Sequence, residues 1–259
     1  MRDEPPAAVT TEDAVLGGRL VLRQPRRGHR VGHDAILLAA ATRAASGEHA
    51  VDLGAGVGAA GLALAARVPG LAVTLVEIDP ALTALAADNI GRNRLDDRVR
   101  AVALDVAAPA RAFAAVGLAP GAADCVLMNP PFNDCLARQA SPDAERRLAH
   151  VAGAGGLEPW LRSAGRLLRP RGRLTVIWRA DGLAEWLAAL SRGFGGVTVQ
   201  PVHPRPDAPA IRVLVGAIKA SGAPLTLVPP LVLADANGRP SATAEAVLRQ
   251  GAALPLAGI

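Results

Sequence analysis

Tyrosine is absent, and aromatic residues make up 2% of the 259-residue chain: Phe113, Phe132, Phe194, Trp160, Trp178 and Trp186. Any activity that needs an aromatic face must draw on these six. Lysine is nearly absent as well. Lys219 is the one lysine among 28 basic residues, so arginine carries the formal net charge of +5. The bias is that of GC-rich coding, yet arginine is also the better planar, bidentate partner for phosphate, so the excess permits an anionic partner without requiring one. Two cysteines, Cys125 and Cys135, are too few for a disulfide framework and lack metal-ligand spacing, so no metal is expected and a reduced, cytoplasmic setting fits. Asp3, Glu4, Glu12 and Asp13 stand where a signal peptide would carry basic residues. The longest uncharged apolar stretch, Leu53–Ala66, is glycine-rich and too short to cross a bilayer, so no membrane partner is expected.

What is present is a chain with 51% hydrophobic residues, enough for a large core. Short apolar runs alternate with helical stretches from about residue 33 onward, the pattern of a mostly parallel sheet covered on both faces. Strands are predicted at Ala50–Leu53, Leu71–Glu77, Val99–Leu104, Asp124–Met128, Arg173–Trp178 and Ile211–Ile218. Helices are predicted at Asp34–Ala45, Ala59–Arg67, Pro80–Asn93, Leu157–Leu168, Gly182–Leu190 and Ala242–Arg249. Pro201–Pro209 holds four prolines and reads as a long turn rather than a central strand. Residues 1–32 read as an N-terminal extension or lid, and 33–259 as a single domain with a short C-terminal extension.

The most informative stretch is Asp52-Leu53-Gly54-Ala55-Gly56-Val57-Gly58, a strand end running into a glycine-rich turn and a helix. Glycine lets the backbone turn tightly and approach a ligand with no Cβ in the way. Glu77 ends the next strand 25 residues after Asp52, about one β-α-β unit on, where a carboxylate can accept hydrogen bonds from ribose hydroxyls. A nucleoside-containing ligand is implied. Gly56-Val57-Gly58-Ala59-Ala60-Gly61 also satisfies the dinucleotide pattern G-x-G-x-x-G, although that pattern places its first glycine directly after the strand; a turn with no ligand is the third reading.

Asp52, Gly54, Gly56 and Gly58 match acidic-x-Gly-x-Gly-x-Gly, and in this the chain resembles the class I S-adenosylmethionine-dependent methyltransferases. The resemblance implies a Rossmann-like, seven-stranded, mostly parallel α/β sheet with helices on both faces, and S-adenosylmethionine as cofactor. It implies that Glu77 holds the ribose, Ile78 flanks the adenine and Asp105 sits beside the adenine amino group; taken alone, Asp105 is as well explained as a turn cap.

The fourth strand runs into Asn129-Pro130-Pro131-Phe132. This resembles the N-P-P-[FYW] motif of methyltransferases that modify a planar amide or exocyclic amine nitrogen. Such a nitrogen is a poor nucleophile because its lone pair is delocalised. The Asn129 side-chain oxygen and the Pro130 carbonyl can accept its two protons and turn the lone pair toward the methyl group, while Phe132 offers a stacking face. A covalent route through Cys135 fits poorly, since that residue lies three positions past Phe132, and Cys125 reads as a core residue.

Gly32, Asp34, Leu37 and Leu38 match G-x-D-[AG]-x-L-L of the bacterial tRNA (adenine-N6)-methyltransferases, a resemblance that brings Asp34 to the cofactor; its alternative is a helix N-cap. Arg23, Arg26, Arg27 and Arg30 can meet RNA phosphates or form a solvated face. The resemblance makes tRNA the expected partner and adenine N6 the expected acceptor. Phe132 is equally at home in guanine-N2 rRNA methyltransferases, the glutamine methyltransferases of release factors share the motif, and a non-catalytic RNA-binding scaffold is the remaining alternative. His150, Arg138 and Arg179 are further residues that can line a base pocket.

Overall fold

The computed structural model describes residues 10–26, 30–131 and 156–258. Its frame is a sheet of nine strands: β3 (His49–Leu53), β4 (Ala72–Glu77), β5 (Val99–Ala103), β6 (Ala123–Met128), β7 (Leu168–Arg179), β8 (Phe194–His203), β9 (Arg212–Lys219), and the two-residue β10 (Thr226–Leu227) and β11 (Leu231–Val232). The order is β10-β8-β9-β7-β6-β3-β4-β5, with β11 also on β8; β9 runs antiparallel to β7 and β8, and every other pair is parallel. Without the two short pieces this is the seven-stranded α/β sheet that the sequence implies.

Successive side chains of β3 point to opposite faces, as a strand requires. Ala50 joins a core with α1 (His33–Ala41), α2 (Ala59–Arg67) and α3 (Pro80–Arg92), while Val51 and Leu53 join a core with α4 (Ala110–Ala115), α5 (Glu158–Leu167) and α6 (Leu183–Leu190). The last helix, α7 (Ala242–Gln250), packs with α1 through Val247. Both faces are covered, which is why the central strands are continuous in apolar residues. Pro80 occupies the first turn of α3, where its missing N–H is harmless, and Asp79 caps that helix by accepting the Ala81 N–H at 2.8 Å.

Two expectations need correction. First, the N-terminal extension contains a hairpin, β1 (Thr10–Val15) with β2 (Leu20–Pro25), that the sequence pattern did not assign. Second, Pro201 lies inside β8, paired with Val213 of β9. The Val199 and His203 carbonyls accept the outward Val228 and Leu233 N–H groups, so residue 201 also faces outward. There it meets the gap between β10 and β11, filled by Pro229 and Pro230, so its missing donor breaks no ladder bond.

Candidate active site

In an open parallel sheet, ligands lie at the carboxyl ends of the strands. Leu53, Val76, Val102, Met128 and Val176 stand side by side across β3, β4, β5, β6 and β7. The next residue of each strand forms the rim, which brings Gly54, Glu77 and Asn129 to one edge.

The glycine loop is built from this rim. Gly54 turns at φ 70°, and its N–H and that of Ala55 both donate to the Val76 carbonyl, at 2.8 and 3.0 Å. Glu77, nearly buried, accepts the Gly56 N–H on Oε2 at 2.8 Å and the Asp79 N–H on Oε1 at 3.0 Å. Each oxygen keeps lone-pair capacity for a hydroxyl donor. A Cβ on Gly56 would meet nothing within 4 Å, so the loop presents open space there, and Gly58 caps α2 at φ 90°. Ile78 is a large apolar side chain left 40% exposed directly beside Glu77. An open glycine turn, a carboxylate and an exposed apolar side chain fit a nucleoside.

Asp52 stands under the loop rather than in it. It is 2% exposed and accepts the Gly61 N–H at 2.8 Å, tying the strand end to the first turn of α2. Burial, aided by the nearby Glu77 charge and opposed by the Gly61 bond, pushes its carboxyl up to about 7. Asp105 lies two residues past β5, exposed, and its Oδ1 accepts the Ala107 N–H at 2.7 Å, so it caps its own turn at the rim. Asp34 is not a helix cap: Gly32 is the N-cap of α1, and Asp34 pairs with Arg212 of β9 at 2.8 Å.

Asn129 follows β6 directly, and Pro130 beside it is buried. The Asn129 Oδ1 atom is buried with no hydrogen-bond partner among the described residues. An unsatisfied buried amide oxygen is costly, on the order of 1–3 kcal/mol, and calls for a donor. Next to it lies a cavity of about 270 Å³ lined by Pro130, Pro131, Trp160, Trp178, Arg179 and Glu185, among others. Two of the six aromatics thus wall it. Trp178 meets the buried Trp186 edge to face, with ring centroids 5.7 Å apart. Trp160 reaches the glycine loop, where a Cβ on Gly54 would lie 2.6 Å from its ring. No motif in the sequence singles out either tryptophan; the aromatic scarcity narrows the choice to six residues without selecting these two.

Arg179 lines the cavity and is paired with Asp181. Arg23 and Arg30 lie against Asp88 and Asp13, at 3.6 and 2.8 Å. Cys125 is fully buried, and desolvation pushes its thiol to about 12, consistent with a core role. Phe132, Cys135, Arg138, His150 and Arg27 lie outside the described residues.

A family model, the methyltransferase small domain, matches residues 30–202. The chain belongs to this methyltransferase family. It is 31% identical over 173 residues to the tRNA1(Val) (adenine(37)-N6)-methyltransferase of Tolumonas auensis, covering 66% of this chain and 68% of that one. The enzyme of the same name from Dickeya chrysanthemi is 28% identical over 234 residues, 85% of this chain and 86% of its own. Among solved structures, a predicted O-methyltransferase, Atu636 of Agrobacterium tumefaciens, superposes with a TM-score of 0.72 at 31% identity, over 85% of this chain and 98% of that one. The family's methyl donor is S-adenosylmethionine, and the open turn at Gly56, the Glu77 carboxylate and Ile78 fit it.

Gly54→Ala places a Cβ against the Trp160 ring at a backbone angle that side chains resist, so it should destabilise this methyltransferase by about 1–3 kcal/mol and weaken S-adenosylmethionine binding at least about tenfold. Denaturant unfolding and calorimetric titration check both. Asp52 gives a second prediction. Because its folded pKa of about 7 exceeds the ordinary 3.8, the native state holds a proton that the unfolded chain releases. The stability of wild type relative to Asp52→Asn should therefore fall as pH rises from about 4 to about 7. Parallel melting curves with an unchanging difference across that range would refute the assignment.

Proposed function

We propose that this methyltransferase transfers the methyl group of S-adenosylmethionine to the exocyclic N6 of an adenine in tRNA. The observation that carries the reading is the buried Asn129 Oδ1 atom at the carboxyl edge of β6, which has no partner among the described residues. That oxygen accepts one amino proton of the base and the Pro130 carbonyl accepts the other, with Phe132 stacking on the ring. With both protons engaged, the lone pair is released from the ring and positive charge developing on nitrogen is stabilised. Pro130 and Pro131 fix the acceptors in place before the base arrives, so little reorganisation is needed. S-adenosylmethionine supplies an electrophilic methyl on a sulfonium, which leaves as a neutral thioether.

Glu77 and Ile78 bind the nucleoside part of the donor, and Asp105, on the loop after β5, takes the adenine amino group in this reading. Asp52 holds the turn from below, and the ion pair of Asp34 with Arg212, which lies beside Arg179 of β7, fixes the start of α1 at the same carboxyl edge of the sheet. The cavity walled by Trp160 and Trp178 suits a planar base taken out of its stack. The names of the curated relatives supply the substrate, tRNA, and with it a cytoplasmic site of action; among the described residues no helix is long and apolar enough to cross a membrane. A hydroxyl acceptor, as the name of the Agrobacterium protein would have it, needs a base to take its proton during transfer. Asn129 offers none, whereas an amine sheds its proton afterwards.

Purified protein incubated with labelled S-adenosylmethionine and unmodified tRNA should yield N6-methyladenosine on nuclease digestion. Label confined to N2-methylguanosine, to protein or to a hydroxyl would overturn the adenine assignment. Asn129→Ala should lower turnover about 100-fold or more while leaving donor affinity within about threefold.

A further inference from the structure

Two side chains bond the backbone of the glycine loop itself, Glu77 at Gly56 and Asn89 at Val57, and Asn89 is the one that no motif assigns. It lies on α3, fully buried, and uses its whole amide. Oδ1 accepts the Arg23 N–H at 2.6 Å, while Nδ2 donates to the Arg23 carbonyl and to the Val57 carbonyl, both at 3.0 Å. Arg23 belongs to β2 of the N-terminal hairpin. Val57 belongs to the glycine loop, one residue after Gly56, whose N–H Glu77 holds. One turn further along the helix, Asn93 makes the same paired contact with β2. Its Oδ1 accepts the Val21 N–H at 2.9 Å and its Nδ2 donates to the Val21 carbonyl at 2.9 Å, but its third bond returns to the Asn89 carbonyl of its own helix at 2.7 Å. The two asparagines thus act as a substitute strand for the edge of β2 that β1 leaves unpaired, and one of them also grips the loop.

We propose that Asn89 is a positioning residue for the cofactor loop, and that docking of the N-terminal hairpin on α3 sets the loop in its donor-binding conformation through it. The hairpin is therefore no mere cover. The bond to Val57 passes its docking to a backbone segment that faces the donor. This rests on the cofactor reading of the loop and not on the identity of the methyl acceptor. Coupling of this kind is reciprocal: if docking strengthens donor binding, the donor must strengthen docking.

Asn93 provides the control, since it makes the same hairpin contact without the loop. Binding of S-adenosylmethionine, measured by calorimetry, should weaken roughly fivefold or more in Asn89→Ala and stay within about twofold of wild type in Asn93→Ala, where the two Asn89 bonds to Arg23 still hold the hairpin on α3, although both variants melt at lower temperature. Donor affinity in Asn89→Ala equal to wild type, or an equal loss in Asn93→Ala, overturns the proposal. A second measurement needs no variant. Saturating S-adenosylmethionine should slow amide hydrogen exchange of residues 20–24 in the wild-type protein, and exchange there that ignores the donor overturns the proposal too. A wild-type protein that binds no S-adenosylmethionine would instead strike the cofactor reading itself.

Discussion

The tight turn at the end of β3 is the constraint on which the rest of the molecule depends. A parallel strand must hand over to a helix within five residues, Gly54 to Gly58, while keeping backbone open toward a ligand. Glycine makes the turn sterically possible but gives it no rigidity of its own. Rigidity comes from buried polar side chains reaching the loop from three elements: Asp52 at the strand end grips Gly61, Glu77 on β4 grips Gly56, and Asn89 on α3 grips Val57. Each satisfies a backbone group that would otherwise be buried or frayed. Trp160, seated against Gly54, then ties the same turn to the opposite helical layer.

The acceptor side follows a different logic. Interior polar groups of this protein are for the most part bonded, and Asp52, Glu77 and Asn89 each bond a backbone group of the loop or of the helix it opens. Among the described residues, five buried side-chain atoms lack a partner, and of these only Asn129 Oδ1 follows directly on a central strand at its carboxyl end. Among the described residues this acceptor is left open while the supports of the donor loop are paired, which is the basis for proposing that it receives a donor from outside. On the proposed reading, the acceptors fixed by two prolines and the cavity walled by tryptophan receive a flat, N–H-bearing group.

Much of this architecture is legible in the amino-acid sequence. Most of the central strands and helices fall within about five residues of where periodicity puts them, because strands buried on both faces and helices with capped ends leave strong local patterns; periodicity assigns neither the short α4 nor the strand β8. Pro201 misleads because the rule against proline in interior strands holds only where a neighbour needs its N–H, and here the neighbour is itself interrupted by prolines. Asp34 has the local context of a helix cap, but its partner Arg212 lies 178 residues away. The hairpin leaves little trace in the pattern because β1 has no buried residue to mark a face and β2 is only six residues long.

The sequence alone determined the chemistry's vocabulary: a glycine turn after Asp52, a carboxylate one β-α-β unit later, and an asparagine locked by prolines. These are legible because each is a local backbone requirement written in adjacent residues. Only the tertiary structure decided which side chains support them. Asn89 meets Arg23 across 66 positions of chain, and Trp160 and Trp178 meet at the cavity beside Pro130 from separate elements. A polar or aromatic side chain takes its role from whatever segment packs against it. That neighbour is fixed by the burial of two helical layers on one sheet, which no local pattern records.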